Sequence, residues 1–450
     1  MPTTPRFLLV AGAAVAVAAG AAGCDLTVEN PNAATLDEVL STRVGLVGFA
    51  NGLQRSYAAG AVDNLALTPG VTAREVAIVR TFASLQELED GGALLPAENG
   101  NVGALFSALY RVAADAQRLT DAADAFDGAE PGFAEGLTAI ASFYKAAALG
   151  ALAQNFERVT LQPGTFNAEY SGRQEAFAEA VRLLAEAERL AGLAAGNAAF
   201  QGLLPDGFDL VNSARAYRAR FALFAGDYGA AVAAVNATDL SATSVFVYGS
   251  DAQNPMFNAF YLGTPSYAVR DDLGLPAIQA GDQRVDFYTD TDLGADADDP
   301  ADDGTLVNDR SGFPIDRAAG FFDDGQTAPL PVYLPDELRL IRAEATVRSG
   351  GNLAAALADI NAVRTATTDP FGVVAGLPPY AGPVTAEALL AEIYYNRSTE
   401  LYLQGLRLED QRRFGRPGPS TDAFQRNRNF YPYPDQERVA NPNTPDDPAI

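Results

Sequence analysis

The chain has 450 residues, enough for one large domain or two to three ordinary ones, and its 48% hydrophobic and 20% charged content describes a folded globular protein. It contains no His, no Trp, one Cys and two Met, which excludes Ser-His-Asp and Cys-His catalysis, histidine-ligated zinc or haem, and an intramolecular disulfide. With 31 basic against 57 acidic residues, a formal charge of −26 spread along the chain, most faces repel a polyanion and nucleic-acid binding is not expected.

Residues 1–23 carry one charge, Arg6, followed by an apolar run of Leu, Val, Ala and Gly that ends in Ala21-Ala22-Gly23-Cys24. A basic start, a short apolar stretch and small residues before a break describe a secretory signal rather than a membrane span. The lone thiol at the expected cleavage point resembles a bacterial lipobox, which implies acylation of Cys24 and a protein tethered to a membrane by lipid rather than embedded in it. Asp25 leaves the choice of membrane open. Residues 24–36, with Asn30-Pro31-Asn32, read as an extended tether, and 24–450 as a single domain.

A first helix is expected over 35–60, and 64–101 reads as loops with short helices. From Val102 onward the 3.6-residue period takes over. Leu105, Leu109, Val112, Ala116 and Leu119 form one stripe; Leu137, Ile140, Tyr144, Ala147 and Leu149 begin a second; Phe177, Val181, Leu184, Ala187 and Ala191 mark a third over 174–190. These stripes are core faces. Two later stretches resemble one another: a helix containing Arg218-Ala219-Arg220 leads through Gly226-Asp227 into an Ala-rich helix, and one containing Arg342-Ala343-Glu344 leads through Gly351-Asn352 into another. Small residues on the second helix allow close packing on the first. That is the logic of tetratricopeptide-type hairpins, which satisfy their faces by stacking, and four fit in the chain if 102–157 and 168–225 are counted. The expected fold is mostly α, a tetratricopeptide-like hairpin scaffold. Between the two similar hairpins, 241–335 is rich in Gly, Pro, Asp, Asn, Tyr and Phe without helical period, and reads as a long irregular insertion with short strands and exposed aromatics.

The C-terminal region, 336–450, is the most distinctive. Pro331-Val332-Tyr333-Leu334, Glu337 to Ala345 and Asp359-Ile360-Asn361-Ala362-Val363-Arg364, then Asn396-Arg397-Ser398-Thr399-Glu400-Leu401, Gly405-Leu406-Arg407 through Arg413, Tyr431-Pro432-Tyr433-Pro434 and Asn441-Pro442-Asn443 together resemble the SusD/RagB family of outer-membrane nutrient-uptake lipoproteins. Gly281-Asp282-Gln283-Arg284-Val285 resembles a mid-chain element of the same family. Asn396 and Gln404 stand where the family usually has Glu, so part of an ion-pair network is expected to be missing, while Glu400, Arg407, Asp410 and Arg413 lie at spacings that permit structural i,i+3 pairs.

The resemblance implies a SusD-like protein that sits on a SusC-like TonB-dependent transporter, catches an oligosaccharide or peptide ligand and passes it to the barrel without doing chemistry on it. It implies lipid anchorage in the outer membrane, facing the cell surface. A membrane-anchored tetratricopeptide scaffold for protein assembly is the alternative. Because the family's binding face is built from the early loop region and the insertion, the candidate ligand residues are Asn64, Arg74, Tyr261, Tyr267, Arg270 and Tyr288; with no Trp present, Tyr and Phe must supply any stacking platform. No cofactor is expected. The acidic loop from Asp290 to Asp303 offers carboxylates for a hard cation such as Ca²⁺, but Asp290, Asp292 and Asp296 miss the EF-hand register, and a solvated acidic loop is favoured.

Overall fold

A computed structural model describes residues 35–127, 130–263, 265–290, 306–307 and 314–450. The signal, Cys24, most of the tether and the acidic loop beyond Asp290 lie outside the described residues.

The expected first helix is two. Leu36–Leu40 is a short turn closed by a Thr35/Glu38 capping box, and α1 (Arg43–Gly60) restarts at Thr42, whose hydroxyl accepts from Gly45 N–H. The following segment is more ordered than its composition suggests. It forms α2 (Val62–Thr72), which carries Pro69 internally, then strand β1 (Val76–Ile78) and a helix over Ala83–Asp90. Pro69 and Gly70 mask the helix in sequence, because both residues normally signal its end.

Hairpins then run as expected. α3 (Gly100–Ala125) is capped by Asn99 and buries its stripe from Leu105 to Leu119. α4 (Phe133–Asn155) is buried on nearly every side; it is the one described helix long and apolar enough to cross a membrane, but its apolar surface is taken up inside the protein. A two-stranded ribbon, β2 (Arg158–Thr160) with β3 (Tyr170–Gly172), leads to α5 (Arg173–Ala194). α6 (Leu210–Ala225) and α7 (Tyr228–Ala237) are joined by the Gly-Asp turn read from sequence: Gly226 adopts φ 79° as the helix C-cap, and Asp227 accepts from Ala230 N–H to start the next helix. The later turn works alike, with Gly350 in the left-handed region and Asn352 capping. Each of α3 to α7 packs on its predecessor, α7 packs on α9 (introduced below), and the stack continues to the C-terminal helices.

The insertion opens with β4 (Val245–Phe246) and α8 (Pro255–Tyr261), continues through β5 (Tyr267–Arg270), β6 (Thr289–Asp290), β7 (Leu306–Val307) and β8 (Pro314–Ala318), and closes with β9 (Leu330–Pro331). β4 pairs antiparallel with β9, fastening the two ends of the insertion together. The larger sheet runs β1-β5-β8-β6, with β7 also on β8, so the insertion recruits β1 from the early region: Ile78 opposes Tyr267 and Val76 opposes Val269. Sequence predicts exposed aromatics here; instead the rings are buried or half-buried and pack into the insertion's own core. Phe257 stacks on Tyr261 at 5.2 Å, Phe260 meets Phe322 at 5.8 Å, and Tyr288 is enclosed by Phe287, Phe321, Phe322 and Tyr402. A segment without helical period must still bury apolar area, and here aromatic rings supply it.

The C-terminal region forms α9 (Pro335–Arg348), α10 (Leu353–Arg364), α11 (Ala386–Glu400) and α12 (Arg407–Arg413). The expected run of i,i+3 pairs is realised only for Asp410 and Arg413. Glu400 and Arg407 do not share a helix, because the chain turns through Leu403 (φ 54°) and Gly405 (φ 72°) between them. Arg407 instead reaches the carbonyls of Leu273 and Ser398 at 2.9 and 2.6 Å and faces Glu75 at 3.4 Å. Arg284, fully buried, is gripped by Asp282 at 2.6 and 2.8 Å, Glu400 at 3.2 Å and Asn396 Oδ1 at 3.1 Å. Asn396 does not leave a gap in this network. Its amide donates to Glu392 Oε1 at 2.7 Å while its oxygen accepts from Arg284, so it bridges a cation and an anion where a glutamate would add a further carboxylate beside Glu392 and Glu400.

Candidate ligand-binding cleft

Where the early helices meet the insertion, a cleft of about 980 Å³ opens. One wall is the C-terminal half of α1, ending in Gly60, with the first turns of α2; the other is the 250–253 turn, α8 and the start of β5. The break between α1 and α2 sets the geometry. Ala61 takes non-helical backbone angles between the helices, which presents Asp63 and Asn64 at the mouth of the new helix.

Its polar groups are few in kind and well distributed. Asn64 Nδ2 donates to Asp63 Oδ1 at 3.1 Å, which orients both. Burial pushes the Asp63 carboxyl above its ordinary range, opposed by hydrogen bonds from Asn64 and its own backbone. Burial also pushes the Tyr267 phenol up to about 12, with Asp63 adding to the effect, so the hydroxyl stays protonated and able to donate. Across the cleft stand Gln253 and Asn258, and Asn258 Oδ1 is buried with no hydrogen-bond partner among the described residues. At one end Arg55 Nη1 pairs with Asp251 Oδ2 at 2.6 Å, and its other nitrogen donates to the Asp251 carbonyl. Asp251 sits at the tip of a tight turn closed by reciprocal Gly249 and Ala252 backbone bonds. Side-chain amides, carboxylates, one guanidinium and one phenol around an open groove form a hydrogen-bonding surface for a polar ligand rich in both donors and acceptors.

Of the six candidate residues, the structure brings Asn64 and Tyr267 together in this cleft. Tyr261 lies on the same helix as Asn258, half-buried, its hydroxyl donating to the Ala318 carbonyl and its ring on Phe257. The other three are committed elsewhere. Tyr288 is wholly buried, its hydroxyl donating to the Glu400 carbonyl at 2.8 Å. Arg74 donates to the carbonyls of Glu89 at 2.9 Å and Gln425 at 3.2 Å, and Arg270 donates to the Ala423 carbonyl, so both buried guanidinium groups hold the C-terminal loop in place. Sequence reasoning missed Arg55, Asp63, Asp251, Gln253 and Asn258. The signal was available in part: Asp63 adjoins Asn64, and 251–258 contains Asp251, Gln253, Asn254 and Asn258 in a segment already singled out. Among the described residues no group of three or more Asp, Glu or Cys is arranged to hold a metal ion.

Residues 324–448 match the sequence model of the SusD family. No curated protein matches the chain. Among solved structures, a SusD-like carbohydrate-binding protein from Bacteroides fragilis NCTC 9343 is similar with a TM-score of 0.68 at 16% identity, over 90% of this chain and 99% of its own. A SusD superfamily protein from Bacteroides thetaiotaomicron VPI-5482 gives 0.65 at 15% identity, over 92% and 100%. A SusD superfamily protein from Bacteroides vulgatus ATCC 8482 gives 0.61 at 16%, over 88% and 97%.

Proposed function

We propose that the chain is a member of the SusD/RagB family, on the match of residues 324–448 and the shared fold, and that it is a surface lipoprotein that captures a neutral or cationic oligomer, an oligosaccharide in the first instance and a peptide as the variant reading, in the cleft between α1, α2 and the insertion. One observation carries this reading: a groove open enough for a chain-like ligand is lined by paired amides and carboxylates, with a single aromatic ring at its side. Hydroxyl-rich chains need donors and acceptors at many points and a flat apolar face at few. The formal charge of −26 favours uncharged or positively charged ligands over anionic ones. The B. fragilis relative in fold is described as carbohydrate-binding, which points the same way.

Calorimetry of the unacylated protein against a panel of oligosaccharides and peptides tests this. A binder should emerge, and Asn64→Ala or Tyr267→Ala should each weaken it by about tenfold, the size of one well-placed hydrogen bond or stacking contact. A binder whose affinity neither substitution alters would place capture elsewhere on the molecule.

Delivery of the ligand to a TonB-dependent barrel, and anchorage through Cys24, complete the proposed role. Cys24→Ser should move the protein from the membrane fraction to the soluble fraction, and continued membrane association would count against the lipid anchor. Co-purification of a barrel partner from mildly solubilised outer membrane tests delivery.

A further inference from the structure

A second cleft, of about 300 Å³, adjoins the first and shares Arg55, Ala59, Asp251 and Ala252 with it. Its character is different. The deep walls are rings and aliphatic groups: Tyr144 from α4, Phe208 from the segment before α6, Phe246 from β4, and Val247 at the rim. Tyr144 and Phe208 lie nearly parallel at 6.2 Å, and Phe208 stacks on Phe246 at 6.2 Å. The hydroxyl of Tyr248, another wall residue, is already used on the Ala58 carbonyl at 3.0 Å.

Asn51, Arg55 and Asp251 add exposed polar groups to this lining, and Gln54 adds a buried one. Gln54 is 5% exposed; its Nε2 donates to the Leu203 carbonyl at 2.9 Å, which fixes the orientation of the amide, and its Oε1 has no hydrogen-bond partner among the described residues. A buried acceptor left unmade costs about 1–3 kcal/mol, a cost that a donor reaching it from the cleft would offset.

We propose that this second cleft is an end subsite that takes a hydroxyaryl group, a phenolic ring carried by the polar oligomer that fills the main cleft. Aromatic walls favour an aromatic ring by edge and face contacts. A single unmatched acceptor suits a ring with one hydroxyl, whereas a pyranose brings hydroxyls around its whole rim and would leave most of them unpaired against these walls. Continuity with the main cleft supplies the rest of the ligand. The Arg55–Asp251 pair between the two clefts is exposed, at 51% and 76% of the side chains, and such pairs contribute at most about 1 kcal/mol, so a ligand chain can part it and cross. The link to a longer ligand rests on the capture reading above; the preference of the subsite for a phenol does not.

The test uses ligand-observed fluorine NMR on the Cys24→Ser protein with two probes, 4-fluorophenol and fluorobenzene. The phenol should bind at least about fivefold more tightly, Gln54→Leu should abolish that difference, and Val247→Asp should weaken both probes, while Asn64→Ala should leave both unchanged. Equal binding of the two probes to the parent protein, or a preference that survives Gln54→Leu, would overturn the assignment. Should Gln54→Leu fail to fold, Val247→Asp decides, because Val247 is 42% exposed and its replacement leaves the core intact; unchanged probe binding in that variant places the probe elsewhere. If every oligosaccharide and peptide fails while 4-fluorophenol follows this pattern, the capture reading falls and the subsite stands; the reverse pattern removes the subsite alone.

Discussion

Arg284→Met should destabilise the protein by about 3–5 kcal/mol, the range for removing one partner of a buried ion pair. The cost comes less from the lost attraction than from what remains. Asp282 and Glu400 would be left as carboxylates in the interior with their principal cation gone, since the Arg284 side chain spans both and is fully buried. Burial already raises the Glu400 pKa well above its ordinary value, and Arg284 is the largest opposing influence. Removing it raises the folded-state value further. A carboxyl whose folded pKa lies above its unfolded one favours folding while protonated and loses that contribution as pH rises through the folded value. The deficit of Arg284→Met should therefore be smaller at pH 5 than at pH 8. Adding Asp282→Asn and Glu400→Gln should recover a large part of it, because a neutral polar group costs less to bury than an unpaired charge. Urea midpoints of the unacylated protein at the two pH values give both answers. A deficit under about 1 kcal/mol, or no recovery in the triple variant, would show that the network contributes little to stability.

The same residues show how far the sequence could be read. The hairpins were legible because their signals are local: Gly226 in left-handed conformation, Asp227 and Asn352 as caps, and Ala-rich faces behind them; at the later turn the left-handed residue is Gly350, one place before the Gly351 read from sequence. The family motif was legible as a string, but its partners were not. Arg284 and Glu400 are 116 positions apart, and Arg220 and Glu337, bonded at 2.6 Å, are 117 apart, so no helical spacing reports them. The insertion hid its order for a related reason. Its sheet draws β1 from the other side of the whole stack of helices α3 to α7, and strands of two to five residues carry no usable alternation. The candidate site divided along the same line. Residue type and region brought Asn64 and Tyr267 into the list, and the fold lines one cleft with both, but nothing in sequence distinguishes an arginine facing a groove from Arg74 or Arg270, whose hydrogen bonds reach carbonyls more than 150 positions away. Exposure is a property of the whole fold.

Gly150→Val should disrupt the stacking of the hairpins. Gly150 lies on α4, and a Cβ there would fall 2.1 Å from Phe221 Cζ and 2.4 Å from Cε2, closer than real carbon atoms approach. The ring has nowhere to go. Phe221 is 1% exposed, stacked on Phe177 at 6.0 Å and edge-on to Tyr217 at 5.8 Å, so displacing it moves the interface between α4, α5 and α6 together. Helix propensity pulls the other way: replacing an interior glycine with alanine ordinarily adds about 1 kcal/mol. Overpacking a close-packed core costs about 1–3 kcal/mol and more where neighbours cannot shift, so Gly150→Ala should end near neutral or below, and Gly150→Val should lose about 3 kcal/mol. Gly103 on α3 provides the control, since a Cβ at that position meets nothing within 4 Å; Gly103→Ala should raise the thermal midpoint. Phe221→Leu in the Gly150→Val background should restore part of the loss by vacating the space that the new side chain needs. If Gly150→Val melted at or above the parent temperature while Gly103→Ala behaved as expected, the close approach of α4 to α6 would not be what fixes the stacking of these hairpins.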